Sequence, residues 1–285
     1  MRLLGFSLAL GFALVATAAH GQQDASESEA GGVPWQAQIY SNFTNWGEEE
    51  LAERDEWDLR HRCGGSLIAD DWVLTAAHCI DQAKVDKGYR VRLGATNLDT
   101  DEGVTYRIDR MVRHADWDKA KHLYDIALVH FVADAETVDD GSGQIATIQL
   151  YDGPPLAVGT EVYATGWGQL EAGKDKGFQS ELTEVDLVTA DCADYPEYAG
   201  KAQEYQMCAT GRGESPDDAA DTCTGDSGGP VVLEGDHPVL VGVVNWGEGC
   251  YRADSAGVYL RIDDRHFANW IARAMASDPS VNLLR

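Results

Sequence analysis

The sequence predicts an all-β protein, built as a sandwich or a pair of barrels. Short apolar, β-branched runs recur along the chain with turn residues between them. One helix alone is well signalled, and it stands near the C-terminal end. An Asp152-Gly153-Pro154-Pro155 break divides the apolar runs into two sets. Many short strands in this pattern are what sandwiches and barrels require.

Residues 1–19 carry Arg2, then an uncharged apolar run, then Ala16-Thr17-Ala18. That order predicts a secretory signal peptide rather than an anchor, because the run is short and no positive flank follows. Residues 20–32 are polar, small and acidic, as in an exposed leader or propeptide-like segment. Strand patterns follow at 35–40, 72–75, 89–93, 104–114 and 126–132, and after the break at 161–165, 182–189, 230–233, 239–246 and 257–262. Between the first two lies a charge-dense insertion, residues 47–62. Its Glu50/Arg54 and Glu56/Arg60 spacings suit a short surface helix. The terminal helix is capped by Asp263 or Asp264. Phe267, Trp270, Ile271, Ala274 and Met275 form its apolar face, and Asp278-Pro279 ends it.

The chain has 285 residues, with 22 basic against 48 acidic side chains and a formal charge of −26. Phosphate binding needs clustered Lys and Arg, so nucleic acid is not the expected partner. Anionic membrane surfaces are disfavoured for the same reason. Six cysteines, Cys63, Cys79, Cys192, Cys208, Cys223 and Cys250, follow the export signal and imply three disulfides in an oxidising compartment. Spacing alone does not choose their pairing. Neither C-x-x-C nor H-E-x-x-H occurs, so no metal site is expected.

The chemistry centres on Asp221-Thr-Cys-Thr-Gly-Asp-Ser-Gly-Gly-Pro230. A serine hydroxyl needs a base to become a nucleophile, and the oxyanion it creates needs N–H donors. Glycines around Ser227 allow the tight turn that aims such donors. Gly225-x-Ser227-x-Gly229 also fits the nucleophile elbow of α/β-hydrolases, whose order is Ser, acid, His. After Ser227 only His237 and His266 remain, and strand–helix alternation is missing. Upstream, Thr75-Ala-Ala-His78-Cys79 and Asp125-Ile-Ala-Leu-Val129 supply the opposite order: His, Asp, Ser.

With these flanks the sequence resembles the chymotrypsin-like serine peptidases of trypsin type, from about Val33 to Met275. The carrying motifs are Cys63-Gly-Gly-Ser-Leu-Ile68, Trp72-Val-Leu-Thr-Ala-Ala-His-Cys79, Asp125-Ile-Ala-Leu128, Gly166-Trp-Gly168, Gly225-Asp-Ser-Gly-Gly-Pro230, Trp246-Gly247 and Gly257-Val-Tyr259. The resemblance implies two antiparallel six-stranded β-barrels with a C-terminal α-helix. The peptidase domain would span 33–276, with barrel one at about 33–152, barrel two at about 156–262, the helix at 263–276 and a tail at 277–285. It also implies the disulfides Cys63–Cys79, Cys192–Cys208 and Cys223–Cys250.

The implied roles are Ser227 as nucleophile, His78 as general base and acid, and Asp125 as the group that orients His78. The N–H groups of Gly225 and Ser227 form the oxyanion hole. Asp221 stands at the base of the specificity pocket, with Gly247 and Gly257 as walls lacking side chains. That arrangement implies cleavage after Arg or Lys. Trp246 and Gly247 are expected to pair with the substrate backbone. The implied partners are protein or peptide substrates and protein inhibitors; the implied form is a secreted monomer without cofactors.

The sequence departs from the family in three places. Asn245 replaces a serine that usually supports the catalytic Asp, which implies a modified support. Ala95 and Thr105 stand at two carboxylate positions of the family's calcium loop, which weighs against calcium there although Asp99, Asp101 and Glu102 are nearby. The activation segment reads Glu29-Ala-Gly-Gly-Val-Pro-Trp35, without the usual Ile-Val, and no Lys or Arg lies between Arg2 and Arg54. Asp226, the usual partner of a newly cut N-terminus, then needs another arrangement. The expected outcomes are a different processing protease, a substitute cation, or a weak oxyanion hole. The alternative function is a weakly active or inactive binding protein on a protease scaffold. The other histidines (20, 61, 114, 122, 130, 237 and 266) read as structural or exposed, and Asn42-Phe-Thr44 as a glycosylation acceptor in a eukaryotic host only.

Overall fold

The computed structural model describes residues 26–27, 33–43, 47–134, 144–170, 177–198, 200–211, 221–250 and 255–277. The stretch read as an export signal, most of the expected leader, Thr44 and the expected Asp278-Pro279 stop lie outside the described residues.

Barrel one is closed by β2 (Gln36–Ser41), β3 (His61–Ala69), β4 (Trp72–Thr75), β7 (Ala127–Val132), β6 (Val104–Arg113) and β5 (Tyr89–Leu93), in that order around the sheet. Barrel two is closed by β9 (Glu161–Gly166), β10 (Thr183–Ala190), β11 (Gln206–Gly211), β14 (Gly257–Arg261), β13 (Val239–Gly247) and β12 (Pro230–Leu233). All pairings within the two barrels are antiparallel. Closure removes the free edges that an open sheet would expose. Two short strands are added to barrel two: β1 (Ser26–Glu27) along β10, and β8 (Gln149–Leu150) parallel to β13. Part of the stretch read as leader therefore lies against the domain.

Two of the closing strands lack the alternation that predicts a strand. In β3, Gly64 and Gly65 interrupt the pattern, and packing explains both. A Cβ at Gly64 would sit 2.9 Å from the Gly229 Cα, and one at Gly65 would sit 2.6 Å from a Val73 methyl. β11 carries Cys208 near its centre.

The core runs through barrel one and into the contact with barrel two. Ile39, Leu74, Leu93 and Leu128 meet Val232, Leu240, Val243 and Leu260 in one cluster. The helix α4 (Arg265–Ala276) starts at Asp264, whose carboxylate accepts the His266 N–H at 2.7 Å. Its buried Phe267, Trp270, Ile271 and Ala274 join the same cluster, so the C-terminal helix closes over barrel one. Each fully buried large side chain of this kind contributes about 1.5–3 kcal/mol.

The insertion forms α1 (Glu48–Glu53) and α2 (Glu56–Arg60). The Glu56–Arg60 pair forms at 2.7 Å. Arg54 pairs forward with Asp58 at 2.5 Å, because the chain turns between the two helices and Asp58 is buried there. A further helix not foreseen from the sequence, α3 (Gln82–Asp86), follows His78 and is capped by Asp81.

The three disulfides are Cys63–Cys79, Cys192–Cys208 and Cys223–Cys250, with Cα–Cα separations of 6.0, 5.1 and 5.3 Å. No described cysteine is free.

Candidate active site

Barrel one brings His78 and Asp125 together. The apolar β4 ends at Thr75, and the turn after it carries His78. Asp125 precedes the apolar β7, which pairs with β4. The wholly buried Asp125 accepts two bonds from His78, one from its main-chain N–H to Oδ1 at 2.9 Å and one from Nδ1 to Oδ2 at 2.7 Å. A carboxylate accepts only, so Nδ1 carries the proton and the Nε2 lone pair is left for a substrate or nucleophile. Lys84 on α3 donates to the His78 and Cys79 carbonyls, both at 2.9 Å, and so fixes the backbone of the turn.

Asn245 supports the pair differently from the expected serine. A β-bulge between Val244 and Trp246 turns it inward. Its Nδ2 donates to the main-chain carbonyl of Asp125 at 3.0 Å, not to the carboxylate.

Barrel two supplies the 221–229 segment. Gly64 N–H donates to the Ser227 carbonyl at 2.9 Å, and Cys79 Sγ lies 3.5 Å from the same oxygen. Ser227 thus sits against the disulfide next to His78, in the contact between the barrels. Gly228, at φ +79°, is the residue that permits this approach: a Cβ there would fall 2.1 Å from Thr75 Oγ1. Among the described residues, no acceptor meets the N–H of Gly225 or of Ser227. The Thr224 carbonyl is held by Gln169 N–H at 3.0 Å. A trans peptide aims its N–H opposite to its carbonyl, so Gly225 N–H points away from Gln169.

Asp221 is buried against Gly257, where a Cβ would lie 2.9 Å from Oδ1. Tyr259 O–H donates to Oδ1 at 3.1 Å and sits 3.1 Å from Thr222 Oγ1. Burial raises the Asp221 carboxyl to about 7, with Asp226 adding repulsion, although bonds from Tyr259 and Thr222 pull the other way. Gly247 and Gly257 face each other across β13 and β14. Trp246 is half-buried, with the exposed His122 stacked on it at 5.0 Å and Tyr198 edge-on at 5.2 Å.

Asp226 is held by backbone alone: Gly168 N–H donates to Oδ1 at 2.7 Å and Cys223 N–H to Oδ2 at 2.8 Å. Its carboxylate fills the space that side chains at positions 166 and 168 would need, with Cβ contacts of 2.1 and 2.2 Å. This accounts for the Gly166-Trp-Gly168 pattern. Among the described residues, no cation pairs with Asp226. Burial raises it to about 6, against those two N–H bonds.

His61 is a neighbour of Gly225 that sequence spacing does not reveal. It is fully buried, and burial lowers it to about 4. Its Nε2 lies 3.0 Å from the Gly225 carbonyl and must donate. Nδ1 then accepts from Gln38 Nε2 at 3.3 Å.

Cys63, His78 and Cys79 lie close together, but the two sulfurs are bonded to each other and offer no thiolate. In the 95–105 loop, Glu102 Oε2 accepts from Thr96 N, Thr96 Oγ1 and Asn97 N at 3.0–3.1 Å. Arg92 donates to the loop carbonyls of Glu102 and Thr100.

A family model described as Trypsin matches residues 22–271. Human "Serine protease 1" is 34% identical over 76% of this chain and 81% of its own length. Dog "Anionic trypsin" is 34% identical with the same coverage. Bovine "Tissue-type plasminogen activator" is 32% identical over 84% of this chain, which spans only 41% of that protein. Among solved structures, neuropsin, a serine protease expressed in the limbic system of mouse brain, aligns with a TM-score of 0.64 at 31% identity, over 85% of this chain and 95% of its own. The chain belongs to the trypsin family of chymotrypsin-like serine peptidases and is a serine-type endopeptidase. No helix among the described residues is long and apolar enough to cross a membrane.

Proposed function

We propose that this protein is a secreted endopeptidase that cleaves after Arg or Lys through Ser227, His78 and Asp125. The observation that carries the specificity is the buried Asp221 carboxyl beneath Gly257, with no described cation paired to it. A guanidinium or ammonium entering the pocket meets that carboxyl. An apolar side chain leaves it unpaired and is disfavoured.

In the reaction, His78 Nε2 takes the Ser227 proton as Oγ attacks the scissile carbonyl. Asp125 holds the imidazole through Nδ1 and stabilises it once it is cationic. The N–H groups of Gly225 and Ser227 receive the oxyanion. His78 then protonates the leaving amine, and water releases the acyl group by the same steps in reverse order of roles. The three disulfides suit an oxidising, extracellular or periplasmic compartment. Protein substrates and protein inhibitors are the partners this cleft would take.

Hydrolysis of a peptide-anilide panel with Arg, Lys, Phe or Ala before the cleaved bond tests the specificity. Turnover of the Arg and Lys members is expected, and preference for Phe or Ala overturns it.

A further inference from the structure

The insertion that reads as a solvated surface helix reaches the oxyanion hole. Asp58, buried at its second helix, accepts Arg54 Nε at 2.5 Å and Arg54 Nη2 at 2.6 Å, a bidentate pair. The same carboxylate accepts the main-chain N–H of Phe178 at 2.9 Å, across 120 positions of sequence. Arg54 lies over the Phe178 ring, 5.3 Å from its centre. The ring meets His61 edge-on at 4.8 Å. It also covers Gly225, since a Cβ on that glycine would fall 2.8 Å from Phe178 Cδ1. His61 in turn binds the Gly225 carbonyl.

We propose that Arg54, Asp58 and Phe178 are positioning residues that clamp Gly225 in the orientation that presents its N–H to the oxyanion. The proposal rests on the peptidase reading above and adds three residues to it. Gly225 sits at φ +104°, where glycine moves freely between conformations, so its direction must be imposed by neighbours. His61 holds the Gly225 carbonyl, Gln169 holds the Thr224 carbonyl, and the Phe178 ring packs where a Gly225 side chain would stand. The Asp58 bond fixes where that ring stands. In a chain whose activation segment lacks the usual Ile-Val, this support comes from the insertion of barrel one.

The test is steady-state kinetics on Asp58→Ala and Phe178→Ala in the full-length secreted protein, with benzamidine and a peptidyl boronate as probes. Oxyanion donors act in the transition state, so kcat is expected to fall about 10-fold or more, against ~100-fold for complete loss of one donor. KM and the benzamidine Ki should stay within about twofold, while boronate affinity falls in parallel with kcat/KM. Arg54→Lys should recover part of the kcat lost in Arg54→Ala. Glu56→Gln, on the same insertion but outside the clamp, should change nothing. If a variant no longer binds benzamidine, Asp58→Asn and Phe178→Leu replace it. Variants that bind benzamidine and keep wild-type kcat and boronate affinity overturn the clamp. A wild-type protein that cleaves none of the peptides overturns the peptidase reading itself, which separates the two failures.

Discussion

The two halves of the site are held in different ways. The His78–Asp125 half sits on strand ends of barrel one and is tied by side-chain bonds, one of them from Asn245 on β13 of barrel two. Asp125 takes two bonds from His78, Asn245 holds the Asp125 carbonyl, and Lys84 holds the turn. The 221–229 half has few side-chain ties of its own. It rests on glycines that make room, on backbone N–H groups around Asp226, and on His61 and Phe178 from elsewhere. Electrostatics differ as well. Asp125 faces an imidazole, whereas Asp221 and Asp226 are raised by burial with no described cation nearby. The first half is held by side-chain bonds to His78, Asp125 and the turn between them, whereas the second rests on backbone bonds, glycine packing and the contacts of His61 and Phe178.

The largest expected effect breaks the chemistry and leaves both halves standing. Ser227→Ala should lower kcat by about 10,000-fold or more while benzamidine still binds, as measured by anilide hydrolysis and inhibitor titration. Next comes the seam between the halves. Gly228→Ala places a methyl 2.1 Å from Thr75 Oγ1 at a φ of +79°, and should cost about 1–3 kcal/mol in urea melts. Removing the support of the first half is comparable or milder. Asn245→Ala leaves the buried Asp125 carbonyl without that donor, for about 1–3 kcal/mol by the same melts.

The smallest effects are those of pH, and they belong to the second half. Asp226 and Asp221 are raised in the folded protein above an ordinary Asp, to about 6 and about 7. Between the unfolded value and these, the folded state binds more protons. Their contribution to stability is therefore full below the unfolded value and is lost as pH rises through about 6 and about 7. Asp226→Asn should flatten part of the fall in Tm between pH 5 and 8. Benzamidine should bind more tightly as pH rises through about 7 and Asp221 ionises, and Asp221→Asn should abolish that dependence.

What is legible in the sequence follows from how local each constraint is. The His78, Asp125 and Ser227 motifs can be read because each short segment carries its own flanking glycines, cysteine or apolar strand. Most strands are legible from alternation, and α4 from its period and its Asp264 cap. β3 and β11 are not, because glycine packing and a half-cystine override the pattern. The contacts of His61, Phe178 and Tyr259 are not legible for a different reason: their partners are side-chain or backbone groups of other segments, and no spacing encodes them. The insertion shows both limits. Its Glu56–Arg60 spacing forms a pair, whereas the Arg54–Asp58 pair gains its place from a bond to Phe178 far along the chain, which no local spacing encodes.

The most direct measurement is labelling with a serine-directed fluorophosphonate, followed by peptide mapping. Stoichiometric modification of Ser227, lost when His78 is replaced by Ala, is the result expected if the imidazole activates that hydroxyl. A protein that stays unlabelled, or labels equally well without the imidazole, contradicts it.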